Sequence, residues 1–145
     1  MTTLNNIISV QQQTEQAIAH GTQVHARLQK ITQFDINNPT DTISRTISAN
    51  PDLHKFFCPA SQTEVPIAGT INGHFISRRI DRMYIAHNTK NIYILDYKTD
   101  TNTDERRQQY AHQIHEYINL VHKTHPNYTV SGYILWTHDF SLERI

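Results

Sequence analysis

The sequence has one cysteine, Cys58, so it can close no intramolecular disulfide. That excludes the disulfide scaffolds of secreted domains and points to a reducing compartment. Phe56, Phe57 and Pro59 surround the thiol, which reads as a half-buried apolar group rather than a nucleophile. An excess of either charge is also missing: 13 basic and 13 acidic residues leave a formal net charge of zero. Free-standing DNA binders usually carry a basic excess, because phosphate contacts supply most of their non-specific affinity. Neutrality counts against autonomous DNA binding, though not against a chain whose DNA a partner delivers. No stretch approaches the roughly 20 apolar residues of a membrane span. Met1 to Val10 lacks the basic start and apolar run of a secretion signal. The expectation is a cytoplasmic protein without a membrane partner. No Gly-x-x-x-x-Gly-Lys-Ser/Thr loop is present, so no ATP site is expected in this chain. No internal repeat is evident, and no segment is biased beyond Gln11-Gln12-Gln13.

What is present suffices for one domain, 1–145, with a core of its own: 145 residues, 37% hydrophobic and 18% charged. The chain reads as a helical part over about 6–60 and a core over about 61–137. Helical spacing from about Asn6 to Ile31 puts Ile18, Gly21, His25, Leu28 and Thr32 on one stripe, with Val24 and Ile31 beside it. After the break Asn37-Asn38-Pro39 a short helix is expected, capped by Thr40 or Asp41, then a helical piece around Leu53 to Phe57. Strands are expected at Glu64 to Ala68, Phe75 to Ile85 and Ile92 to Lys98. A helix follows from Asp104 to about Lys123, its inner face marked by Tyr110, Ile114, Tyr117, Ile118 and Val121. Thr129 to Trp136 reads as the last strand. A helix between two strands implies a crossover and a parallel pair. The fold class is α/β, with a central mixed sheet, flanking helices and the order helices, three strands, helix, strand.

Ten histidines are many for this length, yet nine of them show no metal-finger spacing and read as surface residues. The chemistry concentrates elsewhere. On a strand, residues i and i+2 share a face, so Asp96 and Lys98 project together and Tyr97 opposite. Alone, such a pair is most simply a surface ion pair. Asp81, on the preceding strand, changes that reading, because strand pairing brings it towards Asp96. Two carboxylates forced together signal a shared metal or a shared proton. Two carboxylates, a lysine and a hard cation are what phosphodiester hydrolysis needs.

Five short motifs fall in order along the chain. They are Gly21-Thr22-Gln23-Val24-His25-Ala26-Arg27-Leu28, Glu64-Val65-Pro66-Ile67, Ile80-Asp81-Arg82, Ile94-Leu95-Asp96-Tyr97-Lys98-Thr99 and Gln113-Ile114-His115-Glu116-Tyr117. Together they resemble the signature of RecB- and AddA-type nucleases of the PD-(D/E)XK superfamily, over roughly Gly21 to Tyr117. Arg78 departs from it, standing where the family usually has glycine. The resemblance implies a restriction-endonuclease-like core and a Mg²⁺-dependent deoxyribonuclease acting in DNA repair and recombination, with Mn²⁺ as a substitute. It implies His25, Asp81, Asp96 and the Tyr97 carbonyl as metal ligands and Lys98 as the catalytic lysine. Gln113 and Tyr117 would border the site, and Glu64 would support it. Arg78, Arg79 and Arg82 would contact phosphate. DNA is the implied partner, with a separate helicase subunit of a repair complex as a second. Plainer roles exist for each: a core histidine at His25, a strand-edge charge at Glu64, helix packing at Gln113 and Tyr117, a solvent face at the arginines. The alternative for the whole chain is a non-catalytic DNA-binding or interaction module, the remnant of a larger helicase–nuclease.

Overall fold

Short polar caps divide the N-terminal half into separate helices. The structure, a computed structural model, describes residues 4–100 and 104–145, and before residue 19 only the side chains of Gln12, Glu15 and Gln16. The side chain of Ile18, part of the expected stripe, and residues 101–103 lie outside what is described. Helix α1 spans Leu4–Lys30 and buries Val24 and Leu28. Thr32, placed on its stripe by spacing, instead caps a helix that the spacing does not reveal, α2 (Gln33–Asn37). The Thr32 hydroxyl accepts from Asp35 N, and Asp35 accepts in return from Thr32 N, a reciprocal box that ends one helix and starts the next. Asp41 caps α3 (Thr42–Ser48) with Ser44 in the same way. Asn50 and Pro51 start α4 (Pro51–His54), and a tighter turn, Lys55–Phe57, completes the expected helical piece.

The second half is a five-stranded sheet with spatial order β1-β2-β3-β4-β5. The strands are β1 (Gln62–Ile71), β2 (His74–Ala86), β3 (Asn91–Lys98), β4 (Thr129–Trp136) and β5 (Ser141–Arg144). All neighbours are antiparallel except β3 and β4, which run parallel, as a crossover helix demands. That helix is α5 (Asp104–Thr124). It buries Ile114, Tyr117, Leu120 and Val121, and Gly132 of β4 lets it pack closely, since a side chain there would collide with Ile114. β5 is an addition to the expected strands. It has only four residues, started by a turn in which Asp139 accepts from Ser141 N, and is pinned where Trp136 Nε1 donates to Glu143.

The alternation of β3 serves two cores. Leu95 and Tyr97 pack with Val24, Leu28, Ile47, Leu53 and Phe56 on one face. Ile92 and Ile94 pack with Ile114, Tyr117 and Val121 on the other. Among the described residues, no helix is long and apolar enough to cross a membrane.

Arg82 joins the helical half to the sheet, and here the structure departs from the phosphate-contact reading. The residue is 3% exposed. Its guanidinium donates to the carbonyls of Leu28, Ile31 and Phe56, to Ser61 Oγ and to Tyr97 Oη. It also lies 4.2 Å from the centre of the Phe57 ring. The last carbonyls of a helix lack partners within it and favour a cation, and Arg82 meets both needs at the end of α1. Arg82→Ala strands several buried carbonyls, and the expected loss is about 3–5 kcal/mol. Arg82→Lys does not restore it, because an ammonium cannot reproduce the planar fork. Urea denaturation checks both; a loss below about 1 kcal/mol, an ordinary single hydrogen bond, would show the network to be dispensable.

Candidate active site

The site forms where β2 leaves β3. Their pairing runs from Ala86 opposite Asn91 to Arg82 opposite Leu95 and stops there. The next residue along β2 is Asp81, and its carboxylate replaces the missing ladder bond: Oδ2 accepts from Tyr97 N at 2.8 Å. On the other side of β2, pairing with β1 skips Glu64, whose φ of 51° is left-handed. Such a break in a strand pair re-aims side chains. Strict alternation sends adjacent residues to opposite faces. Here Ile80 packs in the core beside α5 while Asp81 lies against Asp96 and the backbone of Tyr97.

Asp96 is 5% exposed. Its buried Oδ2 receives no well-directed hydrogen bond, although Lys98 Nζ stands 2.9 Å away as an ion pair. The attraction offsets charge without filling the oxygen's directional demand. Burial and then the neighbouring Asp96 carboxylate push the Asp81 carboxyl up to about 8. The pair therefore holds acceptor oxygens and negative charge that the protein itself does not fully satisfy.

Lys98 is held from three sides. Its ammonium pairs with Asp96, donates to Gln113 Oε1 at 3.1 Å and sits 4.3 Å from the centre of the Tyr110 ring. Tyr110 in turn donates to the Asp100 carboxylate, and burial and that bond push its phenol up to about 12. Tyr110 and Asp100 are the members of the site that sequence reasoning missed. The signal was available for the tyrosine: Tyr110, Gln113 and Tyr117 share one stripe of α5. Tyr117 is buried, and its phenol is raised by burial first and then by the charges of Asp96 and Asp81.

His25 approaches from the opposite side of the sheet. Gly21 lets α1 come against the end of β3, since a Cβ there would stand 3.0 Å from Thr99 Oγ1. One turn further, the His25 ring lies edge-on to Tyr97 at 5.5 Å. Burial lowers its pKa, and Asp96 opposes that shift. Glu64 contributes charge to both His25 and Asp81 and lies 4.0 Å from Arg79. Of the expected arginines, Arg78 and Arg79 are exposed beside this cluster, whereas Arg82 is consumed by the fold.

Among the described residues, no three His, Cys, Asp or Glu side chains form a ready-made metal cage. The groups that could hold a cation are Asp81, Asp96, His25 and the Tyr97 carbonyl. The under-bonded Asp96 oxygen and the repulsion at Asp81 fit a hard divalent ion. The unfolded chain gives up the Asp81 proton near pH 4, whereas the folded chain keeps it to about 8. For this pair, stability is greatest below about pH 4 and falls as pH rises to about 8. In EDTA, Asp81→Asn is expected to melt higher than the parent at pH 8, by roughly 2–4 °C per kcal/mol of repulsion removed. The difference should shrink towards pH 5. Thermal melts across that range check it, and a variant that melts lower at pH 8 would contradict the repulsion.

No known family model matches the chain, and no curated protein matches it. What speaks for the chemistry of the site is the arrangement of its own side chains.

Proposed function

We propose that this chain is a metal-dependent DNA nuclease domain of the RecB/AddA type, with a restriction-endonuclease-like core, that hydrolyses phosphodiester bonds in double-strand break repair and recombination. One observation carries the reading. Asp81, at the point where two strands part, meets Asp96 beside a lysine whose ammonium is held by Asp96, Gln113 and the Tyr110 ring. A purely structural ion pair needs one carboxylate; a second, buried against the first, costs stability unless a proton or a cation relieves the repulsion, and a cation does so with both carboxylates charged.

Asp81, Asp96, His25 and the Tyr97 carbonyl would hold Mg²⁺, with Mn²⁺ as a substitute of similar oxygen preference. When bound, the ion supplies Lewis-acid stabilisation of the charge that develops at phosphorus. Lys98 adds a second positive charge on the same strand face, already oriented, so little reorganisation is needed during the reaction. Gln113 fixes the lysine's reach, and Tyr117 closes the site on the α5 side. Arg78 and Arg79 supply phosphate contacts that position the strand. The balanced net charge is compatible with DNA delivered by a partner, for which a separate helicase subunit in the cytoplasm is the proposal.

The test is cleavage of linear single- and double-stranded DNA with Mg²⁺, Mn²⁺ or EDTA. Cutting is expected only with metal and is lost in Asp96→Ala. Lys98→Ala keeps metal affinity but loses roughly 10²–10³ in rate, the usual effect of removing one charge-stabilising donor. Wild-type rates in Asp96→Ala would sink the site assignment. A fall in metal affinity in Lys98→Ala would make the lysine a structural group. Failure to cut under every condition would leave the non-catalytic DNA-binding module.

A further inference from the structure

We propose that the outer face of the ribbon formed by β1 and β2, carrying Phe75 and Arg79, is a track for an unpaired DNA strand leading to the site. The identity of the polymer rests on the nuclease reading; the track itself rests on the ribbon. The ribbon is stiff. Its two-residue turn, Asn72-Gly73, has left-handed φ values of 51° and 79°, the conformation that matches strand twist in a tight hairpin. Its inner face is taken: Ile76 and Ile80 are buried, Gly69 packs against Leu120 of α5, and Lys123 Nζ donates to Thr70 O. The outer face therefore stays presented to solvent.

On that face alternate Phe75, Ser77 and Arg79, all exposed. Phe75 is 75% exposed, and among the described residues only Phe34 is a comparably exposed large apolar side chain. Arg79 is the cation of that face, while His74 and Arg78 alternate with Ile76 and Ile80 onto the side of α5. The face also runs into the site, because Arg79 lies 4.0 Å from Glu64, whose charge acts on Asp81 and His25. At about 3.4 Å per strand residue, Phe75 stands roughly 20 Å along the strand from Asp81. One arginine on the face, already 4.0 Å from Glu64, is too little to hold a duplex by counterion release. An exposed ring offers what a duplex cannot use in its intact stack, a surface for an unpaired base.

The test is fluorescence anisotropy of a labelled oligothymidylate and of a blunt hairpin duplex, in EDTA so that nothing is cut. Phe75→Ala is expected to weaken single-strand binding roughly tenfold, within the range for base–aromatic stacking, and to leave duplex binding unchanged. Phe75→Trp keeps the affinity. Arg79→Ala weakens both and lowers the salt slope by about one. Unchanged melting temperatures show that these exposed positions do not act through folding. Equal binding by Phe75→Ala, an equal loss on duplex, or no binding by the parent protein overturns the track. The two readings separate cleanly. Cutting that survives with ring-independent binding removes the track alone, and ring-dependent binding without cutting removes the nuclease alone.

Discussion

The buried guanidinium of Arg82 ties the helical half of the chain to the sheet. It collects the closing carbonyls of α1, the carbonyl of Phe56 and the hydroxyl of Tyr97 around one planar group on β2. A charge taken this far from water is tolerated only when nearly every donor is used, and here nearly all are. The consequence reaches the site. Fixing the end of α1 fixes the height of His25, and fixing the Tyr97 ring fixes the strand residue whose N–H meets Asp81. Arg82 and Asp81 are neighbours in sequence with opposite duties: one closes the fold and the other leaves it open.

That opening is the second constraint. β2 and β3 pair only as far as Arg82, the residue after Asp81, and the Asp81 carboxylate takes over a backbone donor that would otherwise be orphaned. The gap lets α1 on one side of the sheet and α5 on the other approach the same two carboxylates. The cost is repulsion between Asp81 and Asp96 in a place with little water. Sites that do chemistry commonly keep such local conflict, because the group that relieves it is the one they bind.

Lys98 shows the complementary arrangement. A carboxylate, an amide oxygen and an aromatic face surround its ammonium, and the Tyr110–Asp100 bond holds that face in place. A flexible side chain thereby loses its freedom before any ligand arrives, which is what preorganisation means for a charged group.

Features that depend on local periodicity were legible in the order of residues alone. The period of two placed Asp96 and Lys98 together and Tyr97 opposite; the helical period marked the inner face of α5; the strand–helix–strand order implied the parallel pair of β3 and β4. The ordered motifs singled out Asp81, Asp96, Lys98 and His25, which the fold does bring to one end of the sheet. Contacts between residues far apart in the chain left no such mark and are visible in the fold alone. Arg82 looks like Arg78 and Arg79 in sequence, and burial against α1, some fifty positions earlier, separates its role from theirs. Thr32 continues a helical stripe by spacing, yet its reciprocal bond with Asp35 ends the helix. β5 is too short to declare itself and exists because β4 offers an edge and Trp136 a partner for Glu143. Periodicity reports which face a residue shares; it carries no record of what packs against that face, and that is where the roles of Arg82, Tyr110 and Asp100 were settled.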